Sequence, residues 1–563
     1  MALTETSPED VAPEAPQEEP APPVPSFGSG AAGNDHKPLG SAFLGVALLF
    51  LVVGGVLAVL MRAQLLGPDA DLVSDRQYRS LFTFHGSYLV FLFLLPAWVG
   101  VATAVVPLQI GAARLAFPRL QTLAFWLTAV GGMLMSFAPF AGGARRITSG
   151  WALNSPVPEG AGFAGDAVEF LVLGIAVVLV AVVLAVVNLL VTIVKFRAPG
   201  LTTRRLPVFS WSVLVGGTVL LLALPVLVGS LLLLYVDHHF GSDLFSGFTS
   251  SRGGNPLLWS RLFWFAAYPM LWALVILALG VASEIVATFS GRPLADRAKA
   301  RAGLAAIGAL AFLGWGSEVR NLRSGRYIFV IGALIVLAPV AGVLLNWLLT
   351  LRKAGEEQGV DAVRGRMMAT PMLHVLGLLS VLAAGLGASA VSALDATGRS
   401  HSNYWQVGQQ HLMYFAPATL AIVAAAHYWA PKLWGRKLSD GLGRLELLLI
   451  VGGTHLAFLP ALALGIQDMP RHTSAFDAGE SWELANMAMG LGTAVLTLGV
   501  LVFVLNVLVS AVAKRGKAAP DDPWDGQTLE WTTTSPPPPY NFDSLPEVRS
   551  ATPALDLRTG AAG

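Results

Sequence analysis

Long apolar runs separated by short polar connectors recur along nearly the whole chain, and the connectors carry most of its charge. Such runs lie near 42–62, 84–107, 121–142, 168–195, 209–236, 258–290, 302–317, 327–351, 370–393, 404–430, 445–466 and 482–513. A helix needs roughly 20 apolar residues to cross a bilayer. The pattern therefore predicts an all-α polytopic membrane protein with about twelve transmembrane helices, the seventh being the shortest. Outside the runs, residues 1–40 are acidic and Pro-rich (PEDVAPEAPQEEPAPP), with no apolar core of a signal peptide. They read as a disordered cytoplasmic N-tail, followed by a transmembrane domain over 41–515 and a Pro-rich cytoplasmic C-tail over 516–563.

Composition supports the membrane class: the chain has 563 residues, 54% of them hydrophobic and 13% charged. A soluble fold of that length could not hide so much apolar surface. The net charge of +1 offers no field for nucleic acid, so the lipid bilayer is the expected surrounding. With an even number of spans both termini share one side. The loops on that side (FRAPGLTTRR, SGRPLADRAKAR, LRKAGEEQGVDAVRGR, PKLWGRKLSDGLGR) are rich in Lys and Arg. The opposite loops, EVRNLRSGR excepted, are poorer, which places both termini in the cytoplasm. There is no cysteine, so any metal must be held by His, Met or oxygen.

Two histidines then stand out. His85, in LFTFHGSYLVFLFLLPAW, and His411, in HSNYWQVGQQHLMYFAPATL, both sit near the start of a span entered from the outer side. Imidazoles at matched depth on two helices can grip one heme iron from both faces, whereas a lone intramembrane His is more often a core residue bonded to a carbonyl.

The stretches HGSYLVFLFLLPAWVGVATAVVPLQIGAARLAFPRLQTLAFWL, NPLLWSRLFWFAAYPMLWALVILALGVASEIVATFSGRP and YWAPKLWGRKLSDGLGRLELLLIVGGTHLAFLPALALGIQDMPRH resemble subunit I of the heme–copper oxidases, the catalytic subunit of cytochrome c oxidase. So does the tail PWDGQTLEWTTTSPPPPYNF. The resemblance runs from about residue 40 to about 545 and implies a twelve-helix bundle. It also implies residue roles. His85 and His411 match the two axial ligands of the low-spin heme, Arg62 an arginine near that heme's edge, and Arg471 an arginine that neutralises a heme propionate. A second propionate arginine is His472 in this chain.

The family's oxygen-reducing site is not matched. Gln409 stands at the high-spin heme ligand, with Gln410 beside it. Tyr268 stands at a copper-binding His, Met270 at a proton-relay Glu, and Trp272 at the cross-linked Tyr. Ser317 and Glu318 replace an adjacent pair of copper histidines. Neither Tyr, Ser nor Glu offers copper a comparable site. On the proton paths, Arg114 replaces the carboxylate at the channel mouth, Val343 the channel lysine and Val340 a nearby threonine. Glu284 has a family counterpart and a structural role is expected for it. Ser402 replaces an aspartate of the outer magnesium site, although His401 is kept. His238 and His239 are read as a solvated pair in an outer loop, and His374, His427 and His455 as satisfied interior polar groups.

The resemblance thus implies a respiratory-chain hemoprotein of the bacterial cytoplasmic membrane with one low-spin heme, a- or b-type. It argues against copper, against a second heme and against catalysis of oxygen reduction by this chain alone. Subunit II-like and subunit III-like partners and a cytochrome c donor would go with it. Two rival readings are an active terminal oxidase with unusual ligands and a heme-free transporter or scaffold.

Overall fold

A computed structural model describes residues 35–68, 70–141, 147–153, 166–240, 242, 244–245, 254–318, 326–395 and 402–560. Apart from two isolated β-bridges, its regular structure is helical. Along the chain come α1 (His36–Ala63), α2 (Asp75–Ile110), α3 (Pro118–Ala141), α4 (Asp166–Lys195), α5 (Val208–Phe240), α6 (Pro256–Ser290), α7 (Arg297–Leu310), α8 (Tyr327–Gln358), α9 (Thr370–Leu394), α10 (Tyr404–Trp434), α11 (Asp440–Ile466) and α12 (Glu483–Val512). All but α7 are long and apolar enough to cross a membrane, which makes eleven such helices among the described residues. The seventh run, expected to be the shortest, gives the shortest of these twelve helices. Its helix has 14 residues, about 21 Å at 1.5 Å per residue, short of a hydrocarbon core of about 30 Å. The chain then continues through a turn into a single 3₁₀ turn, Trp315–Glu318.

Sequential helices pack side by side: α3 on α4, α4 on α5, α5 on α6 and α11 on α12, while α1 touches both α2 and α12 and so closes the ring. Near-uniform apolarity hides which helices are central, because lipid and protein interior are equally apolar. Burial separates them. The most apolar stretches of α2, α6 and α10 are 94%, 100% and 83% buried, against 28% in α8 and 33% in α1. Tyr268, Met270 and Trp272 of α6 therefore lie in the middle of the bundle.

Small residues set the closest helix approach. A Cβ on Gly453 of α11 would meet the Leu496 backbone nitrogen at 2.4 Å, and one on Gly492 of α12 would meet that of Ala457 at 2.3 Å. This is the small-residue packing by which membrane helices gain van der Waals contact.

Helix α1 starts at His36, inside the stretch read as N-tail, because polar partners await its first turn. His36 Nε2 bonds Asn541 Oδ1 (3.0 Å), and Lys37 Nζ donates to the same oxygen (3.1 Å). Asn541 belongs to the C-terminal segment, which folds back on the bundle. Its Glu530 is fully buried and accepts from Gln109 of α2 (3.0 Å) and from the Trp429 indole of α10 (3.1 Å). Lys432 of α10 donates to the carbonyls of Asp521, Thr533 and Thr534.

Candidate functional site

Helix α2 opens with a capping box: Ser74 Oγ accepts from the Gln77 N–H and Gln77 Oε1 from the Ser74 N–H. At the head of α10, the Asn403 side chain accepts from the Trp405 N–H and donates to the Gly465 carbonyl, which ties α10 to the end of α11. Each helix then widens into a π-helical stretch next to its histidine, Tyr88–Leu94 three residues after His85 and His411–Phe415 beginning at His411 itself. The cause is a proline. Pro96 and Pro417 cannot donate to the carbonyl four residues back and would clash with it. The N–H just before each bonds five residues back instead, Leu95 to the Val90 carbonyl and Ala416 to the His411 carbonyl. Such π turns cluster at functional sites.

The two imidazoles face one another with ring centroids 6.5 Å apart and planes 19° from parallel. A metal–imidazole bond of about 2.0–2.1 Å, plus about 1.1 Å from nitrogen to centroid, puts two rings on one metal roughly 6.2–6.4 Å apart. The observed spacing fits that arrangement. On His85, Nδ1–H donates to the Gly54 carbonyl of α1 (2.9 Å), and on His411 to the Val407 carbonyl (2.7 Å). Each bond fixes the tautomer and leaves Nε2 as the nitrogen with a free lone pair, the usual outer-shell device of a metal-ligating histidine. The His411 bond alone decides little, since His455 makes the same bond four residues back, to Val451 (2.9 Å). The His85 bond crosses between helices. Phe458 stacks on the His411 ring at 4.1 Å and holds it flat.

Both histidines line one cavity. Its walls are mainly apolar, with Leu51, Leu89, Phe93, Trp151 and Phe458 among them, and its polar groups gather at one end. There Arg62, buried in α1, donates to the hydroxyls of Tyr78 (2.8 Å) and Tyr404 (2.7 Å). Among the described residues no carboxylate pairs with Arg62. Arg471 also lines the cavity, donates to Gln406 and, through Nε, to His472 Nε2 at 3.1 Å. Two guanidiniums at one end of an apolar slot suit a flat, carboxylate-bearing group. Tyr78, Tyr404, Gln406, Trp151 and Phe458 were not singled out in the sequence. The legible signal was the LLPAW and YFAPA prolines, which mark the π turns.

At the unmatched family positions whose side chains are described, most side chains are buried against neighbours. Tyr268, Met270 and Trp272 of α6 are 3%, 0% and 1% exposed. The Trp272 ring meets Tyr414 edge-on at 5.4 Å, and Tyr268 closes against Gly314, where an added Cβ would meet its hydroxyl at 2.5 Å. Gln409 is buried and donates to Ser389 Oγ at 2.9 Å. Ser317 and Glu318 end the described stretch after α7, their side chains outside the described residues, as are Arg320, Arg323 and His401. Val340 and Val343 are buried in α8, Val343 against Gly303 of α7, whereas Arg114 is exposed between α2 and α3. Glu284 accepts from the Phe209 N–H (2.9 Å) and so caps α5.

Two groups depart from their expectation. His238 and His239 lie in the last turn of α5, not in a loop, and His239 Nδ1 is 2.8 Å from Glu169 of α4. His374 and His427 are not separate satisfied groups but converge with Glu446 of α11.

The description "Cytochrome C and Quinol oxidase polypeptide I" fits residues 39–507 of this chain. The chain is 32% identical over 524 residues to cytochrome c oxidase subunit 1 of Bacillus subtilis (strain 168), covering 92% of this chain and 81% of that one. It is 33% identical over 528 residues to a putative cytochrome c oxidase subunit 1-beta of Streptomyces avermitilis, covering 93% and 91%. Quinol oxidase subunit 1 of Bacillus subtilis is 31% identical over 530 residues, covering 93% and 79%. A chain in the cryo-EM structure of a heme-copper terminal oxidase dimer shares the fold, with TM-score 0.68, 15% identity and coverage of 84% and 83%. The apolar helices and these relatives make the chain an integral membrane protein, and it belongs to the family of subunit I of the heme–copper cytochrome c and quinol oxidases.

Proposed function

We propose that this chain is an electron-transfer or non-catalytic complex subunit of a respiratory chain, carrying one low-spin heme between His85 and His411, with oxygen reduction and proton pumping lost. The observation that supports the reading is the 6.5 Å separation of two tautomer-fixed imidazoles that line one cavity. His85 and His411 would hold the iron, and Arg62 and Arg471 the anionic edge of the group. A heme held by these two imidazoles would supply a one-electron couple suited to electron transfer rather than oxygen chemistry. The protein's share is to fix both rings and to keep water out of an apolar slot.

The relatives are described as subunits, which supports assembly with subunit II-like and subunit III-like partners, and a cytochrome c is the proposed donor. The basic loops support a bacterial cytoplasmic membrane with both termini inside. The relatives' descriptions also favour a second reading, an active terminal oxidase with unusual ligands drawn from Tyr268, Met270, Glu318 and Gln409.

A reduced-minus-oxidised optical spectrum of the purified chain, with heme and copper counts, separates them. One six-coordinate heme per chain, unchanged by carbon monoxide, is expected. Carbon monoxide binding with stoichiometric copper would establish the oxidase reading. A chain without heme would remove both and leave a transporter or scaffold.

A further inference from the structure

Away from the cavity, three titratable side chains meet inside the bundle. His374 lies one turn into α9, Glu446 within two turns of the start of α11, and His427 two turns before the end of α10. Alternate crossing puts all three near the same membrane face. They are 0%, 0% and 3% exposed, and one donor atom from each lies within 4.8 Å of the others. His427 Nε2 is 2.5 Å from Glu446 Oε1, and His374 Nε2 is 3.6 Å from the same oxygen. The two rings are 5.0 Å apart and 24° from parallel.

A buried histidine–glutamate hydrogen bond accounts for His427 alone. It does not account for His374, whose Nε2 is buried with no hydrogen-bond partner. At 3.6 Å it is beyond a hydrogen bond to the oxygen it approaches. That separation is close to the edge of a metal tetrahedron, about 3.3–3.4 Å for bonds of 2.0–2.1 Å. The surroundings already serve a metal site. His374 Nδ1–H donates to the Thr370 carbonyl (2.8 Å), which leaves Nε2 as its lone-pair nitrogen. Glu446 Oε2 accepts from Asn506 Nδ2 of α12 at 3.3 Å, so its other oxygen is turned to the histidines. Gly443 of α11 leaves room beside His427, where a Cβ would meet His427 Cε1 at 2.7 Å. Exposed Asp440 accepts from Thr370 Oγ1 (2.6 Å), a polar approach from the membrane face.

We propose that His374, His427 and Glu446 form a binding site for a divalent cation of the zinc type, which joins α9, α10 and α11 near one membrane face. Two imidazoles and a carboxylate, with no cysteine in the chain, are a zinc donor set, and water would complete the tetrahedron. Binding replaces the His427–Glu446 hydrogen bond by two metal bonds, the His427 proton moving from Nε2 to Nδ1. The site is independent of the heme reading, since it shares no residue with the cavity.

The test uses the full-length detergent-solubilised chain, stripped with a chelator and titrated with Zn²⁺, and in parallel with Co²⁺ followed by its visible absorption. One equivalent is expected, with the intense bands of four-coordinate cobalt. His374→Gln and Glu446→Gln should each weaken binding at least tenfold, while a His238→Ala/His239→Ala chain keeps it. If the two variants lose the far-ultraviolet circular dichroism of the wild type, X-ray absorption on the zinc-loaded wild type decides, two imidazoles per zinc being expected. Absence of binding, binding unchanged in both variants, or a zinc shell without two imidazoles overturns the proposal.

Discussion

Replacing His85 with alanine separates a heme ligand from an ordinary buried histidine, because the two roles predict different magnitudes. In the protein itself His85 contributes one hydrogen bond, from Nδ1 to the Gly54 carbonyl. Such a bond is worth about 0.5–1.5 kcal/mol net, and the ring lines a cavity, so little packing is lost with it. If the ring also ligates heme, its removal costs the linkage stabilisation as well, about 2.7 kcal/mol when free heme is a hundredfold above its dissociation constant. His85→Ala should therefore cost about 1 kcal/mol in chain produced without heme and about 3–4 kcal/mol in heme-replete chain. The assay is thermal unfolding of both preparations in one detergent, with heme per chain read from the optical spectrum. His455→Ala serves as the control, since His455 also bonds a backbone carbonyl but lies outside the cavity. It should cost about 1 kcal/mol in both preparations. A His85→Ala chain that keeps one heme with unchanged bands, or whose cost is the same with and without heme, would refute the reasoning.

Three further outcomes follow from the packing. Burial pushes the Glu530 carboxyl above the usual carboxylate range, against the lowering effect of its Gln109 and Trp429 donors. A raised folded-state pKa favours the fold below the ordinary value of about 4.3 and loses that advantage as pH climbs through the raised value. The melting temperature of wild type relative to Glu530→Gln should thus fall as pH rises above that ordinary value, and a constant difference counts against it. Lys432→Met leaves three carbonyls of the C-terminal segment without their cationic donor. It should cost about 3 kcal/mol and speed proteolysis after residue 515, and unchanged proteolysis speaks against the docking. Gly453→Ala drives a methyl group into the Leu496 backbone. It should cost about 1–3 kcal/mol in unfolding, and a neutral effect would mean that α11 and α12 are not so closely apposed.

Spans were legible because apolar length alone marks them; layout was not, because a uniformly apolar helix does not say which side meets lipid. Thus α6 and α8 read alike in the sequence, yet one is central and the other peripheral. The seventh run gives the shortest of the twelve helices: FLGWGS keeps the apolar count up, yet the helix stops at Leu310. Among site residues, His85 and His411 were legible from depth and motif. Tyr78 and Tyr404 were not, since a tyrosine reveals its partner only when Arg62 is placed between two hydroxyls. His374, His427 and Glu446 are far apart in sequence, on three helices, and no spacing rule connects them.

Volume gives the proposed loss of oxygen chemistry its physical basis. A metal pair with a second heme needs open space lined by its ligands, as the cavity at His85 and His411 provides. At the unmatched positions whose side chains are described, the replacements are packed against neighbours. Trp272 meets Tyr414, Tyr268 closes on Gly314, and the Gln409 amide is held by Ser389. Returning one of these residues to histidine therefore supplies a donor without the space for a cofactor. Clearing the space means trimming several buried aromatic side chains, at about 3–5 kcal/mol for each one cut to alanine. No single step recovers that cost, because a lone ligand binds nothing. Substitutions that fill such a site are each favourable for packing and jointly hard to undo. The cavity between His85 and His411 stays open in the same interior, although a few apolar residues could close it just as readily. On the proposed function, the heme that His85 and His411 would hold accounts for the difference.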